Sequence, residues 1–376
     1  MKQKLKVLLI ARHFPPHISG GARRPYLLAK ELMNLGCTVN VFAPGIPDDI
    51  EGFVVPHPMP VPNNQPAQKP SLRDFARTVL LWPDADIRWS KIVVRAVKEN
   101  LPFQPDWIIT TSPPESIHHA GRILKEHYNC KWLIDFRDFW LQRPLRPALQ
   151  SPIRRLIERQ IAQKYCQSAD LMVAVDKYIC EETKLFAPKV PAFVLPHCSL
   201  SPPDQTIDLP ENRINLVHTG SFSLSDLDRK IEQLKEDFVQ ACKKNPSLLL
   251  HLAGRLTEQE LAFIDQELPK DNVKVLGILP IEEALALQRA ADGLLLVGSP
   301  YSDVPPGKYA EYRQFSKPII TVGKARWIAD VNGTQNALEL LIDLKKGSTG
   351  KPVAPTPTPQ AVAKQLLGYF EKIQSQ

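Results

Sequence analysis

The chain has 376 residues, 43% hydrophobic and 23% charged, with a formal net charge of +7. That length exceeds one ordinary core and makes two domains the expectation, and the balance is that of a soluble globular protein. No run of 18 uninterrupted apolar residues occurs, which argues against a membrane span; the positive charge leaves nucleic acid, an anionic membrane surface or a phosphate-bearing substrate as partner classes.

The N-terminal "MKQKLKVLLIARHF" starts basic, but its apolar run is short and no small-residue cleavage site follows. "KVLLIA" therefore reads as a first strand rather than a signal peptide. The loop "RHFPPHISGGARR" follows it and opens into a helical pattern. Gly20 and Gly21 remove side-chain bulk, so backbone N–H groups can approach an anion closely. Arg23 and Arg24 put positive charge into a first helical turn, against the helix dipole, which makes sense with an anion nearby. The alternative is a plain glycine turn with solvated arginines. The spacing is not G-x-G-x-x-G, so a dinucleotide fingerprint is absent.

"TVNVFA" reads as the next strand. In "SLRDFARTVLLWPDADIRWSKIVVRAVKENL", Arg73, Arg77, Arg88, Lys91 and Arg95 alternate with aliphatic residues, Trp82 and Trp89. A peripheral membrane enzyme could use such a surface, although core-packing helices are the preferred reading. The strand "DWIITT" leads to "TSPPESIHHAG", which puts His118 at a helix start as an acid–base candidate or a structural hydrogen-bonder. In "KWLIDFRDFW", strand alternation places Asp135 and Arg137 on one side and Asp138 on the other. Asp138 or Asp135 could accept a proton from an acceptor hydroxyl, and equally Asp135–Arg137 could be a buried structural pair.

After "DLMVAV" and "AFVLP", the stretch "PHCSLSPPDQTIDLPENRI" breaks the alternation and marks a boundary near residues 198–212. The pattern then restarts with "INLVHTG", "SLLLHLAG", "VKVLG", "GLLLVG" and "PIITVG", separated by helical stretches. Alternating strands and helices predict an α/β chain with parallel sheets in two Rossmann-like halves. The expected division is 1–204, 205–355 and a final helix within 356–376. The six cysteines are scattered without a C-x-x-C pair, which argues for a reducing compartment and against a zinc site. No nucleic-acid-binding signature is present.

"LVHTGSFSLSDLDRKIEQL" places Gly220 and Ser221 at a strand end, with Arg229 and Lys230 at the start of a helix. In "SDVPPGKYAEYRQFSKPII", Pro305, Pro306 and Gly307 suit a helix entrance, so Lys308 falls in the first turn with Glu311 one turn on. Backbone donors and an ammonium could converge there on a diphosphate; the plainer alternative is a surface i,i+3 pair.

The ordered set "FPPHISGGARR", "WPDADIRW", "TSPPESIHHAG", "WLIDFRDFW", "LVHTGSF" and "VPPGKYAEYRQFSKPII" resembles bacterial glycosyltransferases of the GT-B fold. The resemblance, to retaining-type enzymes of cell-surface polysaccharide synthesis, runs from about Lys6 to Gly323. It implies two Rossmann-like domains facing across a cleft, with the donor on the second domain, the acceptor on the first and the last helix crossing back. Relatives carry two carboxylates eight positions apart; Glu311 matches the second, and Asp303 stands where the first is usually Glu. Relatives also follow the glycine with a basic residue, where this chain has Ser221; Arg229, then Lys230, are the candidates to compensate.

The implied reaction is transfer of a sugar from a nucleotide-diphosphate-sugar to an acceptor hydroxyl in surface glycan or glycolipid synthesis. Asp138, Asp135 and His118 are the catalytic candidates. Gly20, Gly21, Gly220, Ser221, Arg229, Lys230, Asp303, Gly307, Lys308 and Glu311 are the donor-binding candidates. No cofactor or metal is expected; the partners are the donor and a glycan or lipid-linked acceptor, with an anionic membrane surface as a further candidate and nucleic acid not expected. The location implied is cytoplasmic or membrane-associated. A non-catalytic nucleotide-sugar-binding scaffold and a nucleotide-sugar epimerase are the alternatives on this fold.

Overall fold

The computed structural model describes residues 4–17, 20–58, 81–142, 151–199, 207–224, 226, 228–300, 304–325, 327–350 and 356–374. The chain forms two compact units: Met1–Cys198 with Pro357–Gln376, and Ser199–Thr356.

The first unit is built on seven parallel strands: β1 (Lys6–Ala11), β2 (Thr38–Ala43), β3 (Gly52–Val54), β4 (Trp107–Ser112), β5 (Lys131–Phe136), β6 (Leu171–Ala174) and β7 (Ala192–Val194). Their order is β3-β2-β1-β4-β5-β6-β7. The central strands read as near-continuous aliphatic runs because helices cover both faces of a parallel sheet. Leu9 pairs with Val41 on one side and with Ile109 on the other. Among the described residues the unit's helices are Gly20–Asn34, Ile87–Asn100, Ile117–Tyr128, Pro152–Ser168, Lys177–Phe186 and Pro359–Gln374. The last of these joins the core of this unit: Val362, Ala363, Leu366, Phe370 and Ile373 are buried with β1, β2 and the Gly20–Asn34 helix. Phe370 stacks on Trp107 at 4.0 Å.

Of the segment 71–101, residues 71–80, which include Arg73 and Arg77, lie outside the described residues. In the described part, Trp89, Val93 and Val97 face the interior, and the Trp89 indole donates to the Val55 carbonyl at 3.0 Å.

The second unit carries five parallel strands: β8 (Ile214–Thr219), β9 (Leu248–Ala253), β10 (Val273–Gly277), β11 (Gly293–Val297) and β12 (Ile319–Val322). Their order is β10-β9-β8-β11-β12, the same winding as the centre of the first sheet. Each sheet reverses its winding once, between β1 and β4 and between β8 and β11. In doubly wound sheets ligands bind at such a switch point, outside the carboxyl ends of the strands. Among the described residues no helix is long and apolar enough to cross a membrane.

Candidate functional site

In the first unit the carboxylate near the end of β5 is held by the helix that follows β1 and by β4. Asp135 is the penultimate residue of β5 and is buried. Its carboxylate accepts from Arg24 Nε at 3.1 Å, Arg24 Nη2 at 2.9 Å and Thr111 Oγ1 at 2.8 Å. Burial alone would raise its pKa, but the Arg24 charge and hydrogen bonds hold the carboxyl below the usual carboxylate range. Arg24 also donates to the carbonyls of Leu195 and Pro196. The anion that makes sense of Arg24 near the start of a helix is thus Asp135 of the same chain, with which it forms an ion pair, and the Arg137 charge acts on the same carboxylate.

Arg137 instead donates to the carbonyls of Ser112, Pro113 and Gly21. A Cβ at Gly21 would lie 2.6 Å from Arg137 Nη1, so the close approach at this glycine is made by that guanidinium. Gly20 is the first residue of the same helix. Asp138, just beyond β5, is half-buried.

His118 is fully buried against Trp132, Phe136 and Trp140. The Trp132 indole donates to Thr110 Oγ1, and the Thr110 hydroxyl shares a hydrogen bond with His118 Nδ1 at 2.9 Å. Among the described residues His118 Nε2 has no hydrogen-bond partner. Burial drives the pKa down to about 3, so the ring is neutral.

The second unit gathers Gly220, Ser221 and Arg229 after β8, and Gly307, Lys308 and Glu311 after β11, at its switch point. Gly220 has a φ of +112°, which only glycine adopts readily, and a Cβ there would lie 3.4 Å from Lys308 Cε. Lys308 Nζ donates to Glu311 Oε1 at 2.8 Å, and Gln288 Nε2 donates to the same oxygen at 2.6 Å. Gln288 also reaches Thr219 Oγ1 at 2.8 Å, and the Thr219 N–H donates to the Tyr312 hydroxyl at 2.8 Å. Glu311 is therefore a buried, oriented carboxylate under a partly exposed ammonium.

Arg229 lies 3.9 Å from Asp226, Ser221 is half-buried, and Lys230 is exposed. The helix expected at Arg229 begins later, as a 3-10 turn at Ile231–Leu234. Asp303 lies outside the described residues. Gly307 is exposed with open space where a Cβ would stand.

Gln288 and Tyr312 escaped sequence reasoning. Gln288 carries a signal: it sits three residues from Leu285 on the otherwise apolar buried face of its helix. His218 is a further buried group here. It stacks on Phe222 at 4.2 Å, its Nδ1 lies 3.0 Å from the Leu295 carbonyl, and burial lowers its pKa to about 4. Among the described residues no group of three or more His, Cys, Asp or Glu side chains could hold a metal ion.

Two Rossmann-like units with these strand orders define the GT-B class of fold, and solved structures share it along nearly the whole chain. A sucrose-phosphate synthase from Thermosynechococcus elongatus superposes with a TM-score of 0.62 at 16% identity, covering 99% of this chain and 91% of that one. Anabaena HepE in complex with UDP gives 0.55 at 15% identity, covering 98% and 91%. A protein described as a UDP-N-acetylglucosamine 2-epimerase from Listeria monocytogenes gives 0.59 at 14% identity, covering 98% of both chains. Residues 19–198 match the family described as glycosyl transferase 4-like domain. A search of the curated proteins finds no match.

Proposed function

We propose that the chain is a glycosyltransferase whose second unit holds a nucleotide-sugar donor and whose first unit serves the acceptor. The observation that carries this reading is the meeting of Lys308 with Gly220 at the switch point of the second sheet, with the ammonium open to solvent rather than sealed. A glycine without a side chain and a lysine one turn into a helix suit a diphosphate, and Glu311 suits a ribose hydroxyl. The glycosyl transferase 4-like domain supports sugar transfer in general. Neighbours of the same fold solved with UDP, and with UDP and glucose, support uridine diphosphate as the first nucleotide to test.

In the proposed reaction the bond from the anomeric carbon to the phosphate oxygen breaks, and its electron pair leaves with the nucleoside diphosphate. Lys308 and Arg229 neutralise that charge. The acceptor oxygen forms the new bond, and its proton passes to Asp138 or to the donor phosphate. Asp135, held by Arg24 and Thr111, shapes the loop in this scheme, and His118 supports it from inside the unit. Surface glycan or glycolipid synthesis with retention of configuration, at the cytoplasmic face, is the setting we propose.

A second reading, nucleotide-sugar epimerisation, is favoured by the equally complete overlap with the Listeria protein. A thermal-shift panel of nucleoside diphosphates and nucleotide sugars comes first, because a ligand at 100 times its Kd stabilises by about 2.7 kcal/mol. NMR of the products then separates the readings. Release of nucleoside diphosphate that depends on an acceptor supports transfer; conversion of the donor to its epimer with no acceptor supports the second reading; no shift with any nucleotide defeats both.

A further inference from the structure

The first two turns of the helix Pro152–Ser168 are turned inside out. Their buried side carries charge: Arg154 is 7% exposed and Glu158 0%. These two pair at 3.0 Å; Arg154 also donates to the Pro83 carbonyl and covers the Trp82 ring at 3.8 Å, while Glu158 accepts from the Trp140 indole at 2.9 Å. Their outer side carries aliphatic residues: Ile153 is 73% exposed and Leu156 59%. Ile153, Leu156, Gln160 and Lys164 follow one another in three- and four-residue steps, so they form one stripe. Arg155 and Arg159 stand exposed beside it. With Glu158 buried, the outward charges of this helix are Arg155, Arg159 and Lys164, all positive. Buried Glu182 lies within electrostatic reach of Arg155 from the neighbouring helix but is turned to the backbone N–H groups of Trp140, Leu141 and Gln142.

We infer that this helix docks the first unit onto a membrane surface rich in anionic lipid, with Ile153 and Leu156 entering the headgroup boundary and Arg155, Arg159 and Lys164 meeting lipid phosphates. The pattern is that of an interfacial helix, where short aliphatic insertion and basic attraction each give weak binding and act together. Charge complementarity selects the occupant. An outward face with three cations and no anion is attracted to a negative surface, and it repels a second copy of itself across a two-fold contact. The inference stands apart from the donor reading, which concerns the other unit.

The test is co-sedimentation of the full chain with vesicles of phosphatidylcholine alone and of phosphatidylcholine mixed with phosphatidylglycerol. Binding is expected only to the mixed vesicles, weakening as salt shortens the screening length from about 30 Å to about 8 Å. Arg155→Gln with Arg159→Gln should weaken it about 25-fold, roughly fivefold per basic residue. Ile153→Ser with Leu156→Ser should weaken it about tenfold or more. All four positions are exposed, so thermal midpoints and nucleotide-induced shifts should stay at the parent values. Binding equal on both vesicle types, no binding, or variants that bind like the parent would overturn the inference. So would a self-association of the parent, seen by ultracentrifugation without lipid, that the Ile153/Leu156 variant loses.

Discussion

Each unit sets a cation from a helix against a carboxylate at the carboxyl edge of its sheet, and the two pairs differ in kind. Arg24 and Asp135 are 4% and 1% exposed, and both groups are held by hydrogen bonds from several elements. Lys308 and Glu311 are 33% and 8% exposed, and among the described residues Glu311 takes one of the three ammonium donors. A sealed pair costs desolvation and turns its donors to the protein itself, so its effect is to hold a shape. A pair with a buried carboxylate and an open ammonium keeps the cation aimed while leaving donors available. The same two charge types therefore do structural service in one unit and suit binding in the other.

The sharpest way to break this contrast is to remove one partner of the sealed pair. Asp135→Ala leaves the Arg24 guanidinium buried without its counter-charge and should cost about 3–5 kcal/mol in the urea-unfolding transition of the first unit. Arg24→Met with Asp135→Leu should recover most of that loss. A cost below about 1 kcal/mol would mean that the pair is solvated in solution.

Acid probes the interiors of both units. His118 and His218 are held at about 3 and about 4, below the unfolded value of about 6.5. As pH falls from there, the unfolded chain takes up protons first, so stability present above that value drains away towards the folded values, by up to about 1.4 kcal/mol per pH unit for each ring. Asp135 acts in the same direction further down, its contribution being lost as pH falls from the unfolded carboxyl value through its depressed one. His118→Gln should flatten the dependence of the thermal midpoint between pH ~6.5 and ~4; an unchanged slope would mean that the ring is not sealed.

Smaller effects sharpen the picture at the loops. Gly21→Ala drives a Cβ to within 2.6 Å of Arg137 Nη1 and should cost about 1–2 kcal/mol by displacing that guanidinium from its carbonyls. Lys230→Ala should change stability by no more than about 0.5 kcal/mol, since the side chain is exposed. A marked loss of nucleotide affinity in that variant would move the anion contact from Arg229 to Lys230.

The fold was legible because buried parallel strands are aliphatic runs of strand length: "KVLLIA", "TVNVFA" and "KWLIDF" coincide with β1, β2 and β5. β3 left no such trace, being three exposed residues held by pairing to β2 alone. The charged residues at strand ends could be picked out one by one, but their partners could not. Arg24 and Asp135 are 111 residues apart, and alternation along β5 pointed to Arg137, whose guanidinium turns to backbone carbonyls instead. The Lys308–Glu311 pair was readable because a single helical turn joins it, whereas Gln288 and Tyr312 reach Glu311 and Thr219 through the tertiary fold.

The most direct test of the contrast is a calorimetric titration of UDP into the parent chain, Lys308→Ala, Lys308→Arg and Gly21→Ala. Loss of one charge-assisted contact should weaken UDP binding about ten- to a hundredfold in Lys308→Ala. Lys308→Arg should fall between that variant and the parent, and Gly21→Ala, altered only in the first unit, should bind like the parent. A parent chain that binds no UDP, or a Lys308→Ala variant that binds it with undiminished affinity, would contradict the assignment of the open pair to the donor diphosphate.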